Sequence, residues 1–261
     1  MLKKAIFLII TLVLIIVAWQ VIEGRYNISR IEKGETSFEA FVPSPKTVLR
    51  TFKESGGLLV NELFQTLQKA FLGFSIGLLV AVAVSSVFLF YPSLRDLLLP
   101  LFFAINSFPI IGLAPAIILI FGQGSWLSII FVSMLISYFP ILISLDTALR
   151  ETDEELIELV RVFGANKIQT LLKVRLPLAA PYLFISMKIA LPASIIGATI
   201  GEWLGSRNGI GQIITISLYQ LKPGLLYASL LLIVFVSSLC IFLLSMLEYY
   251  LFPWRRKTDR K

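Results

Sequence analysis

Few side chains in this 261-residue chain have the chemistry of a reaction centre. Histidine is absent, which removes the commonest metal ligand and general base. The single cysteine, Cys240, sits inside an apolar run, so no disulfide framework is available. No phosphate loop of the form G-x-x-x-x-G-K-S/T occurs, and the chain therefore lacks the usual apparatus for splitting ATP. The acidic residues lie almost wholly between apolar runs, which argues against an embedded acid/base pocket.

What remains is a spacing suited to docking. From Asp153 to Phe163, Leu156, Ile157, Leu159, Val160 and Phe163 share one helical face, and Asp153, Glu154, Glu158 and Arg161 take the other. Gly164 is a natural stop, because glycine accepts a left-handed backbone without steric cost. A second short helix is expected from Asn166 to Val174, ended by Pro177 and Pro181. Periodicity alone is equally satisfied by a projecting helix, bend and helix or by a surface helix lying in lipid headgroups.

The elements around this segment are those of a membrane protein. The chain is 57% hydrophobic and only 15% charged, with a mean hydropathy of +0.87. Six stretches suffice to cross a core about 30 Å thick: Ala5 to Ile22, Leu67 to Tyr91, Leu97 to Phe121, Ser125 to Leu145, Tyr182 to Gly201 and Leu225 to Leu247. The expected fold is thus an all-α membrane protein of six transmembrane helices. The net charge of +7 gathers at the tips, at Lys3 and Lys4 and again at Arg255, Arg256, Lys257, Arg260 and Lys261. Nucleic-acid binding signatures are absent, so the excess reads as topology, with both termini cytoplasmic in a multi-pass membrane protein.

This reading divides the chain into an anchor helix (1–22), an outer segment with a short amphipathic helix lying flat on the surface (23–66), a membrane core (67–247) with a cytoplasmic loop (146–181), and a basic tail (248–261). In the third crossing, Pro109, Gly112 and Pro115 interrupt the helix. Such a break either lines a translocation path, with Asn106 and Ser107 as polar contacts, or is a packing kink. Gly73 and Gly77 suggest a close helix contact. Lys188 is expected to snorkel to the headgroups. Glu202, beside Trp203, is placed at the outer interface as an anchor, gate or receptor contact.

The segment from Glu158 to Pro177 resembles the cytoplasmic signature of permease subunits in binding-protein-dependent ABC importers, written E-A-A, three residues, G, nine residues, I-x-L-P. Glu158, Gly164, Leu176 and Pro177 match it, whereas Leu159, Val160 and Val174 replace the two alanines and the isoleucine. "PSPKTV", "FLGFSIG", "FPIIGLAPAIILIFG" and "GEWLGSRNGIGQII" are similar, in order, to the branch serving nitrate, sulfonates, taurine and thiamine precursors.

The resemblance implies a MetI-like type I importer fold and a chain that is not an enzyme. It implies a second permease subunit as a homodimer, a separate ABC ATPase that binds the ATP, and an extracytoplasmic substrate-binding protein. No cofactor is implied in this chain. Glu158, Gly164, Ala165, Asn166 and Pro177 then carry the coupling to the ATPase, Asn106, Ser107, Pro109 and Pro115 border the path, and Glu202, Arg207 and Asn208 face the binding protein. The alternative, a stand-alone secondary transporter or channel, fits less well, since neither an internal repeat nor an intramembrane charge relay is evident.

Overall fold

A computed structural model describes residues 16–25 and 42–253, with Thr11 and Leu14. The start of the expected anchor helix, much of the expected outer segment and the basic residues from Arg255 onward lie outside the described residues. Every described element is helical.

α1 spans Pro45–Phe90, opened by Ser44, whose hydroxyl accepts from the Thr47 amide, with Pro45 in the first turn. The short, flat amphipathic helix expected before the second crossing is instead the first part of this one 46-residue helix. No proline or polar cluster stops it, and Gly56 with Gly57 costs only about 1 kcal/mol each. At 1.5 Å per residue α1 is about 69 Å long, far more than one crossing requires.

α2 (Pro92–Ser107) and α3 (Ile110–Phe121) replace the single third crossing. They meet at 97°. The break falls at Phe108 and Pro109, while Pro115 stays inside α3. α4 (Trp126–Arg150), α5 (Glu154–Val162), α6 (Lys167–Thr170), a π-helical turn (Leu171–Arg175), α7 (Leu176–Gly205), α8 (Ile210–Tyr219) and α9 (Pro223–Leu251) follow.

Pro177 and Pro181 do not end a helix; both lie within α7. Proline cannot donate an amide, and its ring crowds the carbonyl four residues back. The π turn widens the helix just upstream, where the Leu176 amide bonds back to the Leu171 carbonyl, and the chain passes on unbroken. Among the described residues four helices are long and apolar enough to cross a membrane, or five if the bent α2–α3 pair is one span.

α1, α4 and α7 form the packed centre through small residues. A Cβ added at Gly73 would lie 2.5 Å from Ser133 Cβ, and one at Gly77 would lie 2.7 Å from Ser137 Oγ. At Gly197 it would lie 2.9 Å from Ser133 Cα. Backbones this close are how helices associate where lipid offers no hydrophobic gain. Ser133 Oγ also donates to the Ser194 carbonyl at 2.7 Å, joining α4 to α7. Lys188 does more than snorkel: its ammonium pairs with Glu248 of α9.

Candidate coupling and translocation site

The segment after α4 forms a compact knuckle. Asp153 caps α5 by accepting from the Glu155 amide at 3.0 Å. Gly164 ends it at φ +83°, a left-handed conformation. The Gly164 amide bonds the Arg161 carbonyl at 2.9 Å and the Ala165 amide bonds the Val160 carbonyl at 3.1 Å, the paired contacts of a Schellman stop. Asn166 then starts α6 with a capping box: its side chain accepts from the Gln169 amide at 2.8 Å, and Gln169 accepts from the Asn166 amide at 2.9 Å. Two residues thus turn the chain between two fixed helix ends.

Ile157 and Leu171 seat this unit on the core, the latter against Leu145, Ala148, Leu149 and Ala179. Arg175 donates to the Leu149 carbonyl. The opposite face is apolar and bare, with Val162 84% and Phe163 81% exposed, and with Leu159, Ile168 and Leu172 also exposed. Glu158 is exposed and forms no hydrogen bond or ion pair within the described residues. Ala165 is half-buried, and the Asn166 side chain is spent on its cap. Pro177 is exposed on α7.

At the other region of interest, the α2–α3 break borders a cavity of about 320 Å³ lined by Ile105, Asn106, Phe108, Ile110, Leu113 and neighbours on α4 and α7. Asn106 is the polar side chain there. Ser107 donates to its own helix, to the Phe103 carbonyl at 2.8 Å. Pro109 caps α3, and Pro115 is exposed.

Glu202 is not at the outer surface. It is fully buried beside Lys69, also fully buried, and the two pair at 2.8 Å. The second Glu202 oxygen accepts from Thr66 Oγ1 at 2.8 Å and from the Gly211 amide at 3.0 Å. Lys69 also donates to Asn208 Oδ1 at 2.9 Å, which leaves the half-buried Asn208 side chain committed inward. Glu62 accepts from the Gly209 amide at 2.5 Å. Gly209 has φ +103°, and a Cβ there would lie 2.1 Å from the Glu202 carboxyl group. The stretch after α7 is therefore a tight turn into α8, and only Arg207 of its two polar candidates is exposed.

Sequence reasoning also passed over Asp146, buried at the far end of α4, which bridges Arg95 and Arg150. The available signal for Lys69, Glu202 and Asp146 was the rule that charges inside or bordering apolar spans are kept only with a partner.

The comparisons agree with this architecture. The inward-facing methionine ABC transporter MetNI aligns with a TM-score of 0.65 at 22% identity, over 76% of this chain and 97% of the other, a likeness of fold. The riboflavin transport system permease protein RibX of Chloroflexus aurantiacus is 33% identical over 96% of this chain and 90% of its own. The formylaminopyrimidine transport permease protein ThiX of Halalkalibacterium halodurans is 30% identical over 83% and 86%. A putative aliphatic sulfonates transport permease protein, SsuC of Bacillus subtilis, is 28% identical over 94% and 86%. Residues 73–257 match the model of the binding-protein-dependent transport system inner membrane component. That match runs from the middle of α1 through α9 and takes in the knuckle and Glu202, and the chain belongs to this family of ABC importer permeases.

Proposed function

We propose that this permease forms the path for a small organic or anionic solute across the bacterial cytoplasmic membrane as a homodimer, with both termini cytoplasmic. A separate ATPase binds the ATP and docks on the α5–α6 knuckle, while an outer binding protein delivers the solute. The observation that carries this reading is the bare apolar face of Leu159, Val162, Phe163, Ile168 and Leu172 on a unit whose two helix ends are both capped. Exposed apolar surface of this kind marks a protein contact. Glu158 and Pro177 flank that face, and Gly164, Ala165 and Asn166 form its bend.

For the substrate, the relatives support a thiamine pyrimidine precursor first, with sulfonate or nitrate as further members of the class, and taurine rests on the sequence resemblance alone. Arg207 is the exposed candidate for the binding-protein contact. The cavity at Asn106 borders the path.

Phe163→Asp tests the docking. Because Phe163 touches little of its own chain, the variant accumulates and unfolds like the parent but loses its ATPase on copurification. An ATPase retained at parental stoichiometry overturns the docking face. Solute uptake by the parent permease reconstituted with no ATPase would instead establish the stand-alone transporter.

A further inference from the structure

At the knuckle end of the core, charged side chains join three helices. Asp146 on α4 is 2% exposed. One of its oxygens accepts from Arg95 Nε of α2 at 2.8 Å, and the other from Arg150 Nε at 3.1 Å. Arg150 extends the cluster by donating through Nη2 to the Phe88 carbonyl near the end of α1, at 2.7 Å. One turn further along α4, the Leu149 carbonyl accepts from Arg175 in the π turn and from Thr152 at 3.3 Å. The run from the knuckle to the ends of α1 and α2 is thus two sets of polar contacts, joined through one turn of the α4 backbone.

α2 depends on this run more than any other helix in the core. It buries none of its residues fully. It packs through Leu98, Leu99 and Phe102, the last at 6.0 Å from the Phe88 ring. Among the described residues, no side chain of α2 other than Arg95 forms a hydrogen bond or ion pair outside that helix. Apolar contacts are non-directional and permit sliding, whereas a charge-assisted pair holds one geometry. At its other end α2 carries Asn106 and the 97° break beside the cavity.

We infer that Asp146 is a positioning residue for coupled transport: it holds Arg95 so that α2, and the helix break at its far end, follows the displacement of the knuckle. This rests on the reading of the knuckle as the ATPase contact. When the knuckle moves, Leu149 carries the end of α4, Asp146 draws Arg95, and the α2–α3 junction shifts. Without the Asp146 carboxylate the knuckle still binds its motor, but α2 no longer follows.

The test uses the complete importer, reconstituted with its ATPase and binding protein, and reads solute moved per ATP hydrolysed. In Asp146→Asn the ATPase copurifies and hydrolysis continues, but the ratio falls about tenfold, within the usual span of coupling between sites. Arg95→Gln, at a partly exposed side chain, gives the same fall and carries the test if the buried variant does not accumulate. The double variant is no worse than the more affected single, since both remove one contact. An unchanged ratio in both variants, even with a lowered Tm, leaves a merely structural ion pair and overturns the inference, as do losses that multiply in the double. If the parent complex itself shows no dependence of uptake on ATP, the docking reading fails instead.

Discussion

Lys69→Met removes the ammonium from a fully buried pair and leaves the Glu202 carboxylate with only the Thr66 hydroxyl and the Gly211 amide. Stripping one partner from a buried ion pair costs about 3–5 kcal/mol, chiefly the desolvation of the charge left behind. Glu202→Gln strands Lys69 in the same way, although the Asn208 side chain still accepts from it. Removing both charges, as Lys69→Met with Glu202→Gln, leaves a neutral amide that still accepts from Thr66. The net loss is then nearer one ordinary hydrogen bond, about 1 kcal/mol. For a chain of this size each kcal/mol moves Tm by about 2–4 °C, so each single variant is expected to lose about 6–20 °C and the double only about 2–4 °C. Thermal unfolding of the purified permease, followed by circular dichroism, reads all four proteins on one scale. A double variant that loses the sum of the singles, or singles that lose under about 2 °C, refutes the argument that the pair is buried and mutually dependent.

Two further predictions concern glycines of opposite kinds. Gly164 has open space around it but sits at φ +83°, so its substitution is costly only through the backbone. Alanine there loses about 1–2 kcal/mol and valine more, whereas asparagine, which tolerates this region, loses least. ATPase binding to the permease should therefore rank glycine, asparagine, alanine, valine in titration, and equal affinities would refute a role for the bend. Gly73 has an ordinary helical backbone but no room, with Ser133 Cβ 2.5 Å from where its own Cβ would lie. Gly73→Leu should lower Tm sharply, beyond the about 1–3 kcal/mol of ordinary overpacking. Gly56→Leu, where nothing lies within 4 Å, should be neutral or stabilise by up to about 1 kcal/mol. Matching Tm values for these two variants would contradict the close approach of α1 and α4.

The features legible in the sequence were those fixed by nearby residues. Gly164 announces its bend because helix, glycine and Asn166 cap all lie within a few positions, and the structure forms the stop from those same residues. The break at Pro109 is local in the same sense. Boundaries failed where local signals conflicted: Pro177 and Pro181 read as a stop, but the π turn at Leu171–Arg175 absorbs the strain one turn earlier. The glycines after Glu202 carry no local signal of their role, yet Gly209 and Gly211 are needed so that the backbone can close on Glu202. Lys69 and Glu202 are 133 positions apart, and Arg95 and Asp146 are 51 apart. No periodicity links such pairs, and a lone charge in an apolar run shows only that a partner must exist.

The two buried charge clusters lie toward opposite ends of the α4–α7 pair, with the glycine and serine contacts of α1, α4 and α7 between them. A charged pair in an apolar setting cannot slide by part of a turn, because every intermediate position leaves an ion unpaired. Backbones in contact at Gly73, Gly77 and Gly197 cannot slide either without moving main-chain atoms through one another. α3 is different. Ala114, Ile117 and Ile118 hold it against Val132 by apolar contact, and such contacts re-form in a new register at little cost. On the proposed homodimer reading, an alternation between inward-open and outward-open packings is then confined by chemistry to the Ser107–Ile110 junction and to the surface between the two copies. The central three helices act as the body against which those parts turn, which is why a side chain as remote from the cavity as Asp146 bears on what happens at Asn106.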